Sequence, residues 1–275
     1  MKLREIYSNY LDKFKENNIS ELSLRIILCH IFKINDMSEF YIRQEDNFLM
    51  TKKDEKSILK VLSGTPVYYV TKEADFYNFK FNVNKNVLIP RPETELVVEE
   101  GVKEIKKYFS SADFLKIADL GCGCGNIGIV VDKLILNKKE TFCIDNSYFA
   151  LNLAKKNAKK YNSNIKFVLS DLKKFVKKEK NINVVFSNPP YISKVKDVSK
   201  EVLDFEPSNA LFVNPSYFYY EFLILNRKSF VADKYIMIFE INYDQKNILE
   251  GLLKNVLDLK NEEYILSLIH ISEPT

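Results

Sequence analysis

Apolar residues recur at helical spacing through the N-terminal quarter of the chain. Within three segments they mark one face of a helix: Leu3, Ile6, Tyr7, Tyr10, Leu11 and Phe14, then Leu22, Leu24, Ile27, Leu28 and Ile31, then Ile58, Leu59 and Leu62. Ser20 supplies a helix start, and Gly64 with Pro66 ends the run. We therefore predict three or four short helices that form a small domain over residues 1–74.

The pattern changes to alternating apolar and polar residues in DFYNFKFNVNKNVL, residues 75–88. Such alternation predicts a β-hairpin, which we expect to form a linker over residues 75–92. The segment Glu93-Thr94-Glu95 then opens a helix that we expect to run to about Phe109, because acidic side chains favour the positive end of the helix dipole.

From residue 93 to about residue 265, strands alternate with helices and form a second predicted domain. The predicted strands are Lys116–Leu120, Thr141–Asp145, Ile165–Leu169, Asn183–Ser187 and Tyr235–Glu240, and the predicted helices begin at Asn126, Tyr148, Tyr217 and Gln245. Regular alternation predicts an α/β fold in which a mostly parallel, doubly wound sheet is covered by helices on both faces.

The composition is that of an ordinary globular chain, with 275 residues of which 46% are hydrophobic and 28% charged. No run approaches the roughly 18 consecutive apolar residues of a membrane span, and the N-terminus lacks the apolar stretch of a signal peptide. With only four cysteines, we expect a cytoplasmic protein without a disulfide framework. The net charge of +4 comes almost entirely from lysine without an Arg cluster, so it does not indicate a nucleic-acid surface.

The last ten residues, LSLIHISEPT from Leu266 to Thr275, resemble the translation of an adapter used in sequencing libraries. We therefore expect a non-native tail over residues 266–275. The family that this chain resembles in its glycine loop and its Asn-Pro-Pro-Tyr motif finishes with an antiparallel strand pair, and the tail would replace most of it. We expect the chain with this tail to be destabilised, because one edge of the sheet would lose its partner.

Four of the seven glycines lie in one short segment, IADLGCGCGNIGIVV, which follows a predicted strand. Gly121, Gly123 and Gly125 let the backbone turn sharply and approach a ligand, as in nucleotide sites at a sheet edge. Asp145 ends the next strand, where a carboxylate can accept hydrogen bonds from both ribose hydroxyls. The loop lacks the Lys-Ser/Thr pair of a triphosphate-binding loop. Cys122 and Cys124 have no further Cys or His at ligand spacing, so we expect no metal site.

The segment Asn188-Pro189-Pro190-Tyr191 follows the predicted strand INVVFS and is the most specific motif in the chain. The Asn188 side-chain oxygen and the Pro189 carbonyl can accept the two N–H bonds of an NH₂ group. Tyr191 can stack on a planar acceptor. Because an amide nitrogen is a poor nucleophile, catalysis here would consist of positioning and charge stabilisation, without a general base.

The D-x-G-x-G-x-G loop resembles the S-adenosylmethionine loop of class I methyltransferases. Asp171, which follows the third predicted strand, fits the adenine-contacting position of that family. Asn-Pro-Pro-Tyr occurs both in enzymes that methylate glutamine amides and in those that methylate adenine amines. Together with LIPRPETE (Leu88–Glu95), DFEPSNAL (Asp204–Leu211) and the N-terminal helical domain, the motifs resemble the peptide chain release factor N5-glutamine methyltransferases, the PrmC/HemK family.

This resemblance implies methyl transfer from S-adenosylmethionine to the glutamine amide of the Gly-Gly-Gln motif in class I release factors. The residues implied to hold the cofactor are Gly121, Cys122, Gly123, Cys124, Gly125, Asp145, Asp171, Leu172 and Asn188. Asn188, Pro189, Pro190 and Tyr191 would hold the glutamine, with Asn188, Pro189 and Tyr191 as the catalytic set. Arg91 and Glu95 would lie near the cleft mouth, Glu206 would order the loop beyond Tyr191, and the helical domain would dock the release factor.

Two departures from the family pattern affect local loop shapes: VNPSYFYYEF stands where glycines are usual, and Glu240-Ile241-Asn242 stands where Glu-Ile-Gly is usual. The alternative interpretation is an adenine-N6 methyltransferase of DNA or RNA, which would ordinarily need a basic and aromatic recognition region that the sequence does not show. A non-catalytic cofactor-binding protein would be expected to have a damaged acceptor motif. We expect a monomer that acts on one protein substrate. We expect it to bind no membrane and to take no nucleic acid as substrate.

Overall fold

The structure, a computed structural model, describes residues 1–256 and contains two compact units. The first comprises Met1–Glu73 and Lys200–Phe205, and the second comprises Ala74–Ser199 and the chain from Glu206 onward. The predicted tail and the terminal antiparallel strand pair lie outside the described residues. Among residues 1–256, no helix is both long and apolar enough to cross a bilayer.

The first unit is helical. Its helices are α1 (Leu3–Glu16), α2 (Glu21–Phe32), α3 (Met37–Ile42), α4 (Lys52–Leu62) and α5 (Val67–Thr71), with 3₁₀ turn Arg43–Glu45, and α10 (Lys200–Phe205) is grouped with them. Ser20 caps α2 by accepting a hydrogen bond from the backbone N–H of Ser23, as the sequence predicts. The predicted number of helices is too low because α3 and α5 span only 6 and 5 residues, too short for a periodic pattern.

The second unit begins with a β-hairpin of β1 (Glu73–Phe76) and β2 (Phe79–Asn82). Tyr77 and Asn78 form its turn with φ angles of 51° and 62°, the left-handed geometry that a two-residue hairpin requires. The hairpin is therefore confirmed, although its strands end earlier than the alternating pattern does.

The remaining strands form one sheet in the order β5-β4-β3-β6-β7, and every described pairing is parallel. They are β3 (Leu115–Leu120), β4 (Lys139–Asp145), β5 (Ile165–Leu169), β6 (Ile182–Ser187) and β7 (Val231–Phe239). The connecting helices are α6 (Glu93–Tyr108), α7 (Asn126–Leu134), α8 (Tyr148–Lys160), α9 (Leu172–Lys178), α11 (Ser208–Leu211), α12 (Phe218–Asn226) and α13 (Lys246–Val256), with 3₁₀ turns Val195–Asp197, Arg227–Ser229 and Tyr243–Gln245. The predicted doubly wound α/β sheet is thus confirmed.

Helices cover both faces of this sheet. On one face, Phe175 of α9 and Leu223 of α12 join a core with alternate residues of β3, β4 and β6. On the other face, Gly101 of α6 lies against Phe186, and Gly128 of α7 lies against Cys143. Because neither glycine has a side chain, these two helices approach the strands closely and carry their N-terminal ends to the edge where the strands end.

The structure differs from the prediction at α9 and at the start of β7. Helix α9 was not predicted, although a parallel crossover between β5 and β6 requires a connection of this kind. Its signal is short: Asp171 caps it, and Phe175 and Val176 are its buried residues. Strand β7 begins at Val231 instead of Tyr235, because its first half alternates weakly and contains Asp233 and Lys234.

Candidate functional site

A cavity opens at the carboxyl ends of β3, β4 and β6 in the second unit. The chain passes from β3 outward to β4 and β5 and then returns to β6 on the other side of β3, so the strand order reverses between β3 and β6. Ligands of open α/β sheets bind at this kind of reversal. The predicted site residues that line the cavity are Arg91, Gly121, Cys122, Gly123, Cys124, Asp145, Asp171, Leu172, Asn188, Pro189 and Pro190.

The glycine loop after β3 is held against the end of β4. The backbone N–H groups of Gly121 and Cys122 both donate to the Ile144 carbonyl, at 2.8 and 3.0 Å. Gly121 and Gly123 have φ angles of 75° and 54°, a region that residues with a side chain rarely adopt. Gly125, at 82°, turns the chain into α7 but does not line the cavity, because it packs against Ala154.

The space above the loop is open toward the cavity. A Cβ atom added to Gly121 or Gly123 would meet no atom within 4 Å in the part of the chain that the structure describes. The two glycines therefore form a cradle in which ligand atoms can come as close as a side chain would. The loop fits the nucleotide cofactor that the resemblance implies.

Asp145 joins the glycine loop to the start of α8. One of its carboxyl oxygens accepts from the Gly123 N–H at 2.9 Å, and the other accepts from the Ser147 N–H at 2.8 Å. Burial raises the pKa of this carboxyl, while the backbone hydrogen bonds oppose the rise. Each oxygen has a further lone pair, so the fixed carboxylate can still accept the two hydroxyls of a ribose.

Asp171 and Leu172 form the next part of the cavity wall, between β5 and α9. The Asp171 side chain accepts from the Lys174 N–H at 2.8 Å and caps α9. This backbone hydrogen bond, with the nearby Lys174 ammonium, lowers the pKa of the exposed Asp171 carboxyl. An ionised acceptor thus stands at the mouth of the cavity, beside the half-buried Leu172 side chain.

The acceptor motif forms the opposite wall. Ser187, the last residue of β6, is buried and donates through its hydroxyl to the Leu120 carbonyl at 2.7 Å, which ties the end of β6 to the end of β3. Asn188, Pro189 and Pro190 follow and line the same cavity as the glycine loop. Asn188 is half-buried, so its carboxamide is accessible from the cavity but not freely solvated.

Thr94 and Glu240, which the sequence did not single out as site residues, contact the Asn188 side chain, and Thr94 also lines the cavity. The Asn188 amide nitrogen donates to the Thr94 hydroxyl at 3.2 Å, and that hydroxyl donates to a Glu240 carboxyl oxygen at 2.5 Å. Glu240 is 2% exposed, and its burial raises its pKa, while hydrogen bonds from Thr94 and Asn188 lower it. Both residues occur in noted motifs, but no local pattern shows that they meet.

Arg91 reaches the cavity through a buried ion pair. Its guanidinium donates to Glu206 at 2.6 Å, and Glu206 also lies 3.4 Å from the Ile89 backbone N–H. The Glu206 side chain is 2% exposed, whereas that of Arg91 is 32% exposed. Glu206 therefore joins the segment before α6 to the segment before α11, which agrees with the ordering role that the resemblance implies.

Two predicted site residues lie elsewhere. Glu95 accepts from the Tyr77 N–H at 2.8 Å and faces a separate depression at the hairpin turn, because the helix rotates it away from Thr94. Tyr191 does not line the cavity among the described residues. Its ring packs with Tyr220, Ile224 and Leu249, and burial, followed by the charge of Glu240, raises its hydroxyl pKa. The stacking of Tyr191 on an acceptor stays a prediction.

The acidic and thiol groups beneath the glycine loop are buried. Asp119 accepts from the Gly128 N–H at 2.9 Å through one oxygen, while its other oxygen has no hydrogen-bond partner among the described residues. Burial raises the pKa of Asp119 to about 7 and that of Cys124 to about 12. Cys122 and Cys124 are free thiols, so their contribution to the cavity is a neutral, weakly polar surface.

Asn157 is a further residue that the sequence did not indicate. It lies on α8, is fully buried, and donates both to the Cys124 carbonyl at 2.9 Å and to the Asn82 carbonyl at 3.0 Å. Its oxygen accepts from the Asn82 backbone N–H at 2.8 Å. One buried amide therefore ties the glycine loop to the hairpin, and its only sequence signal is a polar residue at a helix position that faces the core.

Comparison with known proteins agrees with this geometry. Residues 97–205 match the family model described as the methyltransferase small domain. The chain is 34% identical to a release factor glutamine methyltransferase of Mycoplasma mycoides, over 90% of this chain and 89% of that protein. It is 34% identical to the protein of the same name from Staphylococcus aureus, over 79% and 78%. A crystal structure of ribosomal protein L11 methylase from Lactobacillus delbrueckii is 19% identical, over 62% of this chain and 70% of that chain, with a TM-score of 0.43.

Proposed function

We infer the function of this chain from its membership of a family: it belongs to the release factor glutamine methyltransferases. We propose that it transfers a methyl group from S-adenosylmethionine to the side-chain amide of the glutamine in the Gly-Gly-Gln motif of class I release factors. The observation that carries this proposal is that the glycine loop and Asn188-Pro189 face each other across one cavity.

The cofactor end of the cavity is the glycine loop with Asp145 and Asp171. The loop offers close backbone approach at Gly121 and Gly123, and Asp145 offers two fixed oxygens to ribose hydroxyls. S-adenosylmethionine, when bound, supplies a methyl group on a positively charged sulfur. The acidic side chains at this end suit a cationic cofactor better than a polyphosphate, which would need basic groups.

The acceptor end must bind a neutral NH₂ group. The Asn188 oxygen and the Pro189 carbonyl are neutral acceptors, and two such acceptors can hold both N–H bonds so that the nitrogen lone pair points toward the methyl group. During transfer, positive charge would develop on the glutamine nitrogen until its proton passes to solvent. Hydrogen bonds to these two oxygens become stronger as that charge grows, which stabilises the transition state.

Exposed apolar residues of the helical unit support a role for this unit in docking the protein substrate. Within it, Ile42 and Leu49 have exposed side chains, 82% and 85% respectively, where most apolar residues of the unit are packed in its core. We propose that this surface contacts the release factor. Ile42→Asp should then raise KM for the release factor several-fold and leave the affinity for S-adenosylmethionine unchanged, whereas equal kinetics would contradict a docking role.

We further propose that the chain acts in the cytoplasm as a monomer and takes no nucleic acid as substrate. Four buried free thiols suit a reducing compartment. All of the proposed acceptor groups come from one chain, so a single copy can complete the reaction.

The test is transfer of labelled methyl from S-adenosylmethionine to a purified class I release factor. A release factor with Gln replaced by Ala in the Gly-Gly-Gln motif and a DNA substrate serve as controls. Label on the unaltered factor alone supports the proposal, and label on DNA or on the Ala factor overturns the choice of substrate. Asn188→Ala should reduce kcat by at least about 100-fold, while Asn17→Ala, which removes an exposed amide in α1, should leave it unchanged.

A further inference from the structure

The direction of the Asn188 carboxamide decides whether the acceptor site can work. An amide has an accepting oxygen at one end and a donating NH₂ at the other. If the Asn188 NH₂ faced the cavity, it would meet the NH₂ of the substrate, and two donors cannot form a hydrogen bond with each other. The chain therefore needs a device that holds the Asn188 NH₂ away from the cavity.

The Thr94 hydroxyl supplies part of this device. A hydroxyl has one hydrogen to donate and lone pairs with which to accept. Its oxygen lies 2.5 Å from a Glu240 carboxyl oxygen and 3.2 Å from the Asn188 amide nitrogen. A carboxylate only accepts, so the Thr94 hydrogen goes to Glu240, and the Thr94 oxygen is then left to accept from Asn188.

Glu240 is fixed in place from several sides. Its backbone N–H donates to the Ser187 carbonyl at 3.1 Å, and its carbonyl accepts from the Tyr220 hydroxyl at 2.8 Å. Besides Thr94, the Asn188 amide and the Tyr191 hydroxyl also interact with its carboxyl group. Donors thus converge on one buried acceptor and oppose the rise in its pKa that burial causes.

We propose that Thr94 and Glu240 are positioning residues that turn the Asn188 NH₂ inward and present its oxygen to the acceptor nitrogen. This inference rests on the proposed function for its consequence, but the direction of the amide is a property of the protein alone. Both residues act through Asn188 rather than on the substrate. They lie 94 and 52 positions from Asn188 in sequence and meet it only in the folded unit.

Glu240→Gln is the sharpest perturbation, because it keeps shape and removes the acceptor-only character. The new NH₂ would donate to the Thr94 oxygen, the Thr94 hydrogen would turn to Asn188, and the Asn188 amide would flip. Thr94→Val removes the hydroxyl without changing volume, and Thr94→Ser restores it. Thr141→Val is the matched control, since Thr141 is also buried but lies on β4, outside the cavity.

Two measurements separate this inference from the proposed function. In a ¹⁵N-labelled protein, the Asn188 NH₂ resonance, assigned by its loss in Asn188→Asp, should show one hydrogen-bonded, slowly exchanging proton. Glu240→Gln should abolish that protection and Thr94→Val should weaken it, because Glu240 still accepts from Asn188 there, whereas Thr94→Ser and Thr141→Val should retain it. An unprotected NH₂ in the unaltered protein would overturn the inference, whatever the substrate proves to be.

The kinetic measurement uses the release factor as acceptor. Glu240→Gln should lower kcat about 100-fold and Thr94→Val about 10-fold, since misplacing a positioning group by about 1 Å has effects of this size. The dissociation constant for S-adenosylmethionine should stay within about twofold, and Thr94→Ser should recover most of the rate. Loss of cofactor affinity in parallel with rate, or no rescue by Thr94→Ser, would show a merely structural role. No transfer by the unaltered protein would overturn the proposed substrate, and the NMR result would still decide the direction of the amide.

Discussion

The contact between Gly101 and Phe186 allows α6 to lie close to β6, and a single methyl group tests it. Both residues are buried, and a Cβ at position 101 would lie 2.1 Å from Phe186 Cε1 and 2.4 Å from Cζ. Replacing Gly by Ala inside a helix ordinarily adds up to about 1 kcal/mol of stability. Overpacking a core costs about 1–3 kcal/mol, and this ring is fully buried. We expect Gly101→Ala to lower the free energy of unfolding by about 1–2 kcal/mol.

The chain offers a matched control for this substitution. Gly251 also lies inside a helix, α13, but is exposed, and a Cβ there would meet no atom of residues 1–256 within 4 Å. Gly251→Ala should therefore raise the free energy of unfolding by up to about 1 kcal/mol. Phe186→Leu removes the two ring atoms that clash, so the Gly101→Ala/Phe186→Leu double variant should be more stable than the sum of the two single changes indicates.

Urea unfolding at constant pH compares the unaltered protein with the three single variants and the double variant. The same free-energy loss corresponds to a fall in Tm of roughly 2–8 °C for a chain of this size. If Gly101→Ala shifted stability in the same direction as Gly251→Ala, the close approach of α6 to β6 would be refuted. Because Thr94 lies in the first turn of α6 and β6 leads into Asn188, Gly101→Ala should also reduce kcat, whereas Gly251→Ala should not.

Three further predictions concern buried polar groups. Burial raises the pKa of Asp119 from 3.8 to about 7, so the folded chain keeps a proton that the unfolded chain releases, and the free energy of unfolding falls as pH rises through that range. Asp119→Asn should therefore become more stable relative to the unaltered protein from pH 4 to 7, by at most about 4 kcal/mol. Urea unfolding at a series of pH values measures this, and a difference in stability that does not change with pH would contradict it. Asn157→Ala leaves backbone groups of Asn82 unpaired and should lower the free energy of unfolding by about 2–4 kcal/mol. It should also weaken cofactor binding measured by calorimetry, and an unchanged cofactor affinity would contradict the role of Asn157 in holding the glycine loop. Arg91→Ala leaves the Glu206 carboxylate buried without its partner and should cost about 2–4 kcal/mol in urea unfolding; adding Glu206→Gln should recover part of that loss, and simple additivity would contradict the pairing.

Most parts of the site that the sequence predicted lie at the end of a strand or directly after one. The glycine loop follows β3, Asp145 ends β4, and Asn188 follows β6. Because parallel strands carry their carboxyl ends to one edge, recognising each strand is enough to bring these groups together. The sheet sets the distances between these groups, so their separation in sequence does not have to be known.

The parts that the sequence did not predict depend on contacts between distant segments or on the rotation of a helix. Thr94 and Glu95 are adjacent in one motif, yet Thr94 faces Asn188 and Glu95 faces the hairpin turn. Successive helix residues differ by about 100°, and the sequence alone did not fix which of the two would face the cavity. The packing of Tyr191 could not be predicted either, because its burial comes from α12 and α13, which pack around it.

The departure of this chain from the Glu-Ile-Gly pattern of its family bears on whether Glu240 can hold its position. Glycine would be required at position 242 if the backbone there took a left-handed conformation. Asn242 instead has φ −80° and ψ 153°, extended backbone that any residue adopts, and its N–H donates to the Gln245 side chain at 2.9 Å. Asn242 therefore begins the following turn without strain. Glu240 is fixed from the other side, by Ser187 and Tyr220, so the acceptor it provides for Thr94 and Asn188 does not depend on a glycine two residues later.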